Sequence, residues 1–312
     1  MDKPWQGMMH LGVIHFMMFP EVMRDESRVV ETARKIAEDS FFGVIEIARI
    51  ENDGVREELK AVLEEGGVEV GMAAQPKLLG GKLNLASLDE NARHAAVDDV
   101  KKTIDQAYYF RSTLVATLDG ANSYPGPENE ARATEQLIKS LGELCEYAED
   151  TCSEQPLTLS LETFDRSVDK KSLVGPSTLA VQVASAVKQD HPFFGLTIDL
   201  SHLPLLGESS AKALQTTKNY LVHAHIGNCA FRDRAHPAFG DNHPRFGAPG
   251  GENGVRELAE FLQELIKIGY FDKQLPTRMP VVSFEVKPMP GESPELLIAN
   301  CKRFFQEAWA RV

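Results

Sequence analysis

Leu157-Thr-Leu-Ser-Leu-Glu162, Gly195-Leu-Thr-Ile-Asp199, Leu221-Val-His-Ala-His225 and Val281-Val-Ser-Phe-Glu285 are four strand-like segments that each end on a metal-ligand residue type. Two places earlier stands another polar residue, Ser160, Thr197, His223 or Ser283. Side chains alternate faces along a strand, so each polar pair shares a face. The neighbours Leu159, Leu161, Ile198, Val222 and Phe284 are apolar and belong to the opposite face. Parallel strands with a shared polar inner face at one end describe the mouth of a barrel. Three carboxylates and an imidazole converging there would bind a divalent cation.

Outward from these segments the chain reads as eight strand-then-helix units. The strands are expected near His10–Phe16, Val44–Ala48, Val68–Ala74 and Thr113–Leu118, then at segments ending on Glu162, Asp199, Ile226 and Val286. Helices are expected between them, as in the run Leu258, Phe261, Leu262, Leu265 and Ile266, whose spacing of three and four gives one apolar face. Strict alternation implies a parallel sheet, and eight units in 312 residues fit a single (β/α)8 TIM barrel. The whole chain, 1–312, is read as one domain with long loop insertions near 74–88 and 228–254. Both follow the C-terminal end of a strand, the face on which such barrels build sites. No Gly-x-Gly-x-x-Gly turn follows the first strand, which weakens a dinucleotide-binding reading.

Composition narrows the function. A net charge of −13 argues against nucleic acid or an anionic membrane as a partner, because phosphate binding needs clustered Lys and Arg. No signal peptide or membrane-spanning run is evident, and the four cysteines form no Cys-x-x-Cys pair. They read as reduced thiols of a cytoplasmic protein.

Glu162 in Ser-Leu-Glu-Thr-Phe, Asp199 in Asp-Leu-Ser-His, His225 in His-Ala-His-Ile-Gly-Asn and Glu285 in Ser-Phe-Glu-Val-Lys-Pro resemble the xylose isomerase-like barrel superfamily. Their order is most similar to its sugar isomerase and ketose 3-epimerase branch. The resemblance implies that these four residues bind one divalent metal, Mn²⁺ or Mg²⁺ first, with Co²⁺ or Zn²⁺ as alternatives. It also implies that Glu162 and Glu285 are the acid–base pair, and that His202 contacts a carbohydrate substrate. The epimerases usually carry an arginine six residues after the metal-binding histidine; that position here is Phe231, and the adjacent Arg232 is the shifted candidate. Related barrels often form homo-oligomers.

The residues themselves support the same chemistry. A cation chelating a ketone and its neighbouring hydroxyl acidifies the C–H between them, and paired carboxylates then move the proton. Proton transfer at one carbon gives epimerisation, between adjacent carbons aldose–ketose isomerisation, and loss of a β-group a lyase or dehydratase. A non-catalytic sugar-binding barrel is a further alternative. Phosphodiester hydrolysis is disfavoured by the charge and by the single visible ligand cluster. The acidic balance leans towards a non-phosphorylated substrate.

Glu46 and His15, near the ends of inward-facing strands, are further substrate-binding candidates, each against a structural role. His223 reads as a supporting histidine one layer below His225. Lys287 could polarise a substrate oxygen or pair with a carboxylate. Asp241 and His243 read as loop-ordering residues. Trp5, Phe16 and Phe239 could wall a sugar ring.

Overall fold

The eight strands pair in sequence order and close on themselves, each parallel to both neighbours. They are β1 (His10–Ile14), β2 (Val44–Ala48), β3 (Glu69–Ala73), β4 (Leu114–Thr117), β5 (Thr158–Glu162), β6 (Phe194–Asp199), β7 (Leu221–Gly227) and β8 (Val281–Glu285). This computed structural model describes residues 4–152 and 155–312. Helices such as Val29–Ala37, Asp53–Gly66, Glu90–Tyr109 and Pro294–Trp309 pack around the barrel. Their limits follow local chemistry: Asn52 and Asp89 cap helix starts by accepting from the Val55 and Ala92 N–H groups. Gly67, at φ 66°, closes the second helix in the left-handed conformation.

The outward faces of the strands form the main core with the helices, with Leu161, Ile198, Ile226 and Phe284 fully buried. Each such side chain contributes about 1.5–3 kcal/mol of burial. The interior is polar and tightly filled. Ser160 and Thr197 share a 2.6 Å hydrogen bond. Gly71 pairs with Glu46, and a Cβ there would lie 2.9 Å from the Glu46 Cγ, so the small residue makes room for the long one. Between β6 and β7 the register jumps: Leu196 pairs with Leu221, but Thr197 pairs with His223, leaving Val222 as an extra residue on β7.

Residues 74–88 are only partly the loop expected of them: Gln75–Gly81 is a helix, and 82–88 are irregular. Pro76 occupies the first turn of that helix, where its missing N–H costs nothing. Residues 228–254 do form a long irregular segment. Asn253 ties it down, donating from its side chain to the carbonyls of Leu200 (3.2 Å) and Gly227 (3.0 Å), while its own N–H donates to Asn228 Oδ1 (2.7 Å). No helix is long and apolar enough to cross a membrane, among the described residues.

Candidate metal centre

The C-terminal ends of the strands open into a cavity of about 390 Å³, a size suited to a small molecule. Glu46, Glu162, His225 and Glu285 line it from the strand ends, with Asp241 and His243 from the loop after β7. Ile14, Phe16, Met17, Leu79 and Phe164 form apolar wall.

Glu162 Oε1 lies 3.1 Å and Glu285 Oε2 3.0 Å from His225 Nδ1. Gln75, carried by the helix after β3, donates to Glu162 Oε2 at 2.8 Å and fixes that carboxylate. Beneath His225, Glu46 faces two imidazoles: His223 Nε2 at 2.8 Å and His225 Nε2 at 3.3 Å. Burial alone would raise the Glu46 carboxyl, but His223 and His225 outweigh it and hold the group well below the usual carboxylate range. An ionised carboxylate only accepts, so both facing Nε2 atoms carry hydrogen. That leaves the His225 Nδ1 lone pair aligned with Glu162 Oε1 and close to Glu285 Oε2, a position that a proton or a cation stabilises. As a proton site, His225 is indeed pushed far above its ordinary range: burial opposes this, and the Glu46 and Glu162 carboxylates overcome it.

A second group adjoins the first. His202 Nε2 and His243 Nε2 lie 3.1 and 3.0 Å from the same oxygen, Asp241 Oδ1. His202 Nδ1 donates to the Thr163 carbonyl (2.7 Å) and His243 Nδ1 faces the Glu285 carbonyl (3.2 Å), so each ring turns Nε2 towards the aspartate. His243 holds a left-handed backbone, φ 46°, unusual for a residue with a side chain. Lys170 Nζ meets Asp241 Oδ2 at 2.8 Å. Lys170 is placed by Asp165, whose carboxylate gathers the N–H groups of Ser167, Val168, Asp169 and Lys170 at 2.5–3.1 Å. Burial would raise the Asp241 carboxyl, but His202, His243 and Lys170 hold it well below its ordinary range.

Glu162, His225 and Glu285 thus form one buried group able to hold a metal, and Asp199, His202 and His243 another. Asp199, expected beside the first three, belongs to the neighbouring group. Its Oδ1 accepts from the Ser201 N–H (2.8 Å), its Oδ2 accepts from the Ser201 hydroxyl, and Oδ2 lies 3.6 Å from His202 Nε2. The donor set suits a divalent ion. Glu285 Oε2, His202 Nε2 and both Asp241 oxygens are buried and approached closely by opposite charge, yet make no aligned hydrogen bond. Such atoms fit a bound cation.

Other expected site residues lie elsewhere. β1 ends at Ile14, and the chain then turns into a short helix that swings His15 away from the cavity, onto Thr32 Oγ1 at 2.8 Å. Burial pushes this imidazole down to about 3. Arg232 is 80% exposed and pairs with Glu252 at 2.7 Å, off the cavity. His202 is fully buried against Phe164 and does not line the cavity. Glu46 does line it, yet both its oxygens are engaged by histidines. Phe16 is part of the wall, whereas Trp5 packs between Phe41 and Phe305 and Phe239 lies outside the lining. The sequence reading missed Gln75 and Lys170, and it undervalued Asp241 and His243. The Asp-x-His spacing in the loop after a ligand-bearing strand was the available signal.

A family model for xylose isomerase-like TIM barrels matches residues 31–302. No functionally curated protein matches in sequence. Among solved structures, a D-psicose 3-epimerase from Clostridium cellulolyticum H10 is 20% identical, with 97% of this chain and 96% of that one covered and a TM-score of 0.65. A D-tagatose 3-epimerase-like protein is 19% identical over 97% and 99%, TM-score 0.70. A 3-keto-D-glucoside 4-epimerase from E. coli is 16% identical over 96% and 99%, TM-score 0.69. At these identities the likeness is one of fold.

Proposed function

Since the chain belongs to the xylose isomerase-like TIM barrel family, we propose that its barrel mouth is a metal-dependent site for isomerising or epimerising a ketose or keto-sugar by proton transfer. The observation that carries this reading is the placement of Glu162 and Glu285 within 3.1 Å of His225 Nδ1, both lining one cavity. The epimerase folds of the neighbouring structures agree with it.

In this reading Glu162, His225 and Glu285 would hold a divalent ion, Mn²⁺ or Mg²⁺ first, with Asp199 in the neighbouring group. Such an ion, when bound, would polarise a substrate ketone and its neighbouring hydroxyl and so acidify the intervening C–H. The chain's own groups do the rest. Glu162 and Glu285 would take and return the proton. Gln75 fixes the orientation of Glu162. Glu46 fixes the His225 tautomer from below, as outer partners of metal-binding histidines do. The apolar wall excludes water from the reacting carbon. Asp199, His202 and His243 would form a second cation position, with Asp241 facing both imidazoles. One of the two sequence arguments against phosphodiester hydrolysis, the single cluster, therefore falls, and the acidic charge balance remains.

Proton exchange tests the proposal. The chain loaded with Mn²⁺ is incubated in D₂O with ketoses and keto-glycosides and followed by NMR. Deuterium next to a carbonyl, with a new stereoisomer, supports it, and both signals should vanish in Glu162→Gln or Glu285→Gln. A released group would move the reading to a lyase. Binding without exchange would move it to a sugar-binding barrel.

A further inference from the structure

Arg24 and Lys287 take no part in the network above. Lys287 lies two residues beyond Glu285, and its N–H donates to the His243 carbonyl at 2.7 Å, which fixes the backbone above β8. Arg24 ends the short turn Pro20–Met23 that follows β1. β1 and β8 are neighbours in the barrel, and Pro20 and Lys287 line one shared groove outside the cavity. Both cations therefore stand on one side of the mouth, and both line the cavity itself.

The cavity's carboxylates already have partners. Glu46 faces His223 and His225, Glu162 faces His225 and Gln75, Asp241 faces Lys170, and Glu285 faces His225 and His243. Among the described residues, Arg24 and Lys287 have no carboxylate within 4.0 Å. Unpaired cations are common on open surfaces and mean little there. Two of them facing a substrate cavity, in a chain of net charge −13, are placed where a ligand's charge would meet them. The acidic side chains of the outer groove, Glu21 and Glu292, line that groove and not the cavity, and Glu292 pairs with Arg245.

We infer that Arg24 and Lys287 bind a negatively charged group on the substrate, at the end away from the reacting carbonyl. This rests on the proton-transfer reading and names its substrate class: an anionic keto-sugar, its charge carried by a carboxylate or a phosphate. The whole-chain charge that leaned against phosphate describes the surface average, whereas the field at this rim is set by two nearby cations. A charged group there would make charge-assisted hydrogen bonds that a neutral sugar cannot.

The test compares D-fructose, D-fructuronate and D-fructose 6-phosphate on the Mn²⁺-loaded chain. Proton exchange is read by NMR and binding by calorimetry. A charged ketose should exceed fructose by about tenfold or more in kcat/KM for exchange, and the gap should narrow at high salt, as expected for a partly exposed charge pair. The two charged arms decide between carboxylate and phosphate. Lys287→Met and Arg24→Met should each lower the charged-to-neutral ratio by about tenfold. A ratio near one, or a ratio untouched by both substitutions, overturns the inference while leaving the proton-transfer reading standing. If no ketose exchanges, that reading fails and calorimetry decides this one. Tighter binding of a charged ketose, weakened by Lys287→Met, upholds it; equal binding overturns it.

Discussion

Replacing Glu46 by Gln should loosen the metal without touching a metal ligand. Glu46 is an ionised, buried carboxylate between His223 Nε2 at 2.8 Å and His225 Nε2 at 3.3 Å. Glutamine has the same size and shape but offers one acceptor and one donor. The shorter contact keeps the amide oxygen on His223. The NH₂ group then faces His225 Nε2, which must accept, and the ring's hydrogen moves to Nδ1. That atom stands within 3.1 Å of Glu162 and Glu285, where the cation would bind. One charge-assisted hydrogen bond is lost, about 1.5–3 kcal/mol, or roughly a ten- to hundredfold weaker cation affinity. Calorimetric titration of metal-free protein with Mn²⁺ measures this directly. The Mn²⁺ concentration giving half-maximal exchange should shift by the same factor. An unchanged dissociation constant, with the fold intact by circular dichroism, would refute the claim that His225 ligates through Nδ1 and that Glu46 sets its tautomer.

Metal content after saturation and desalting, read by mass spectrometry, should be two divalent ions per chain, one for each neighbouring group, and His243→Asn should reduce it to one. A wild-type ratio of one would confine the ion to the Glu162 group. The acid limb of stability should carry the signature of His15. Its pKa is lowered by burial from 6.5 to about 3, so its neutral form stabilises the fold fully above pH 6.5. That contribution, at most about 5 kcal/mol, is lost as pH falls towards 3, because the unfolded chain binds the proton first. Denaturant unfolding of His15→Gln across this range should show a flatter pH dependence than wild type; an identical slope would assign the acid limb to other groups.

Much of the barrel was legible in the sequence because period-two and period-3.6 patterns report which face is buried. The β2 segment Val44–Ala48 and the helix Val255–Lys267, which carries the Leu258–Ile266 face, fall where the pattern places them. The Gln75–Gly81 part of the 74–88 insertion did not read as a helix because Pro and paired Gly signal breaks, although Pro is well tolerated in a first turn. At the site, strand-end ligands were legible because alternation fixes their direction. His15 was misplaced because the strand stops one residue before it, and element ends are what local patterns define least well. Lys170 was invisible for a different reason: its position depends on Asp165 gathering four N–H groups, a relation between a loop and its own backbone. Asp241 and His243 lie in irregular chain, where no periodicity says which way a side chain turns.

The skipped Val222 has a consequence for how such a centre can be lost. Had the Leu196–Leu221 register continued unbroken, Ile198 would pair with His223 and Asp199 with Ala224. Both imidazoles would then turn towards the surrounding helices, and Ala224 and Ile226 would occupy the mouth. The strand works like a reading frame, and one supernumerary residue sets its phase. Deletion of the Val222 codon would bring Leu196–Leu221 and Thr197–His223 into one unbroken register with both imidazoles still turned inwards, so what erases the centre while every ligand remains encoded is flattening of the bulge with the extra residue kept.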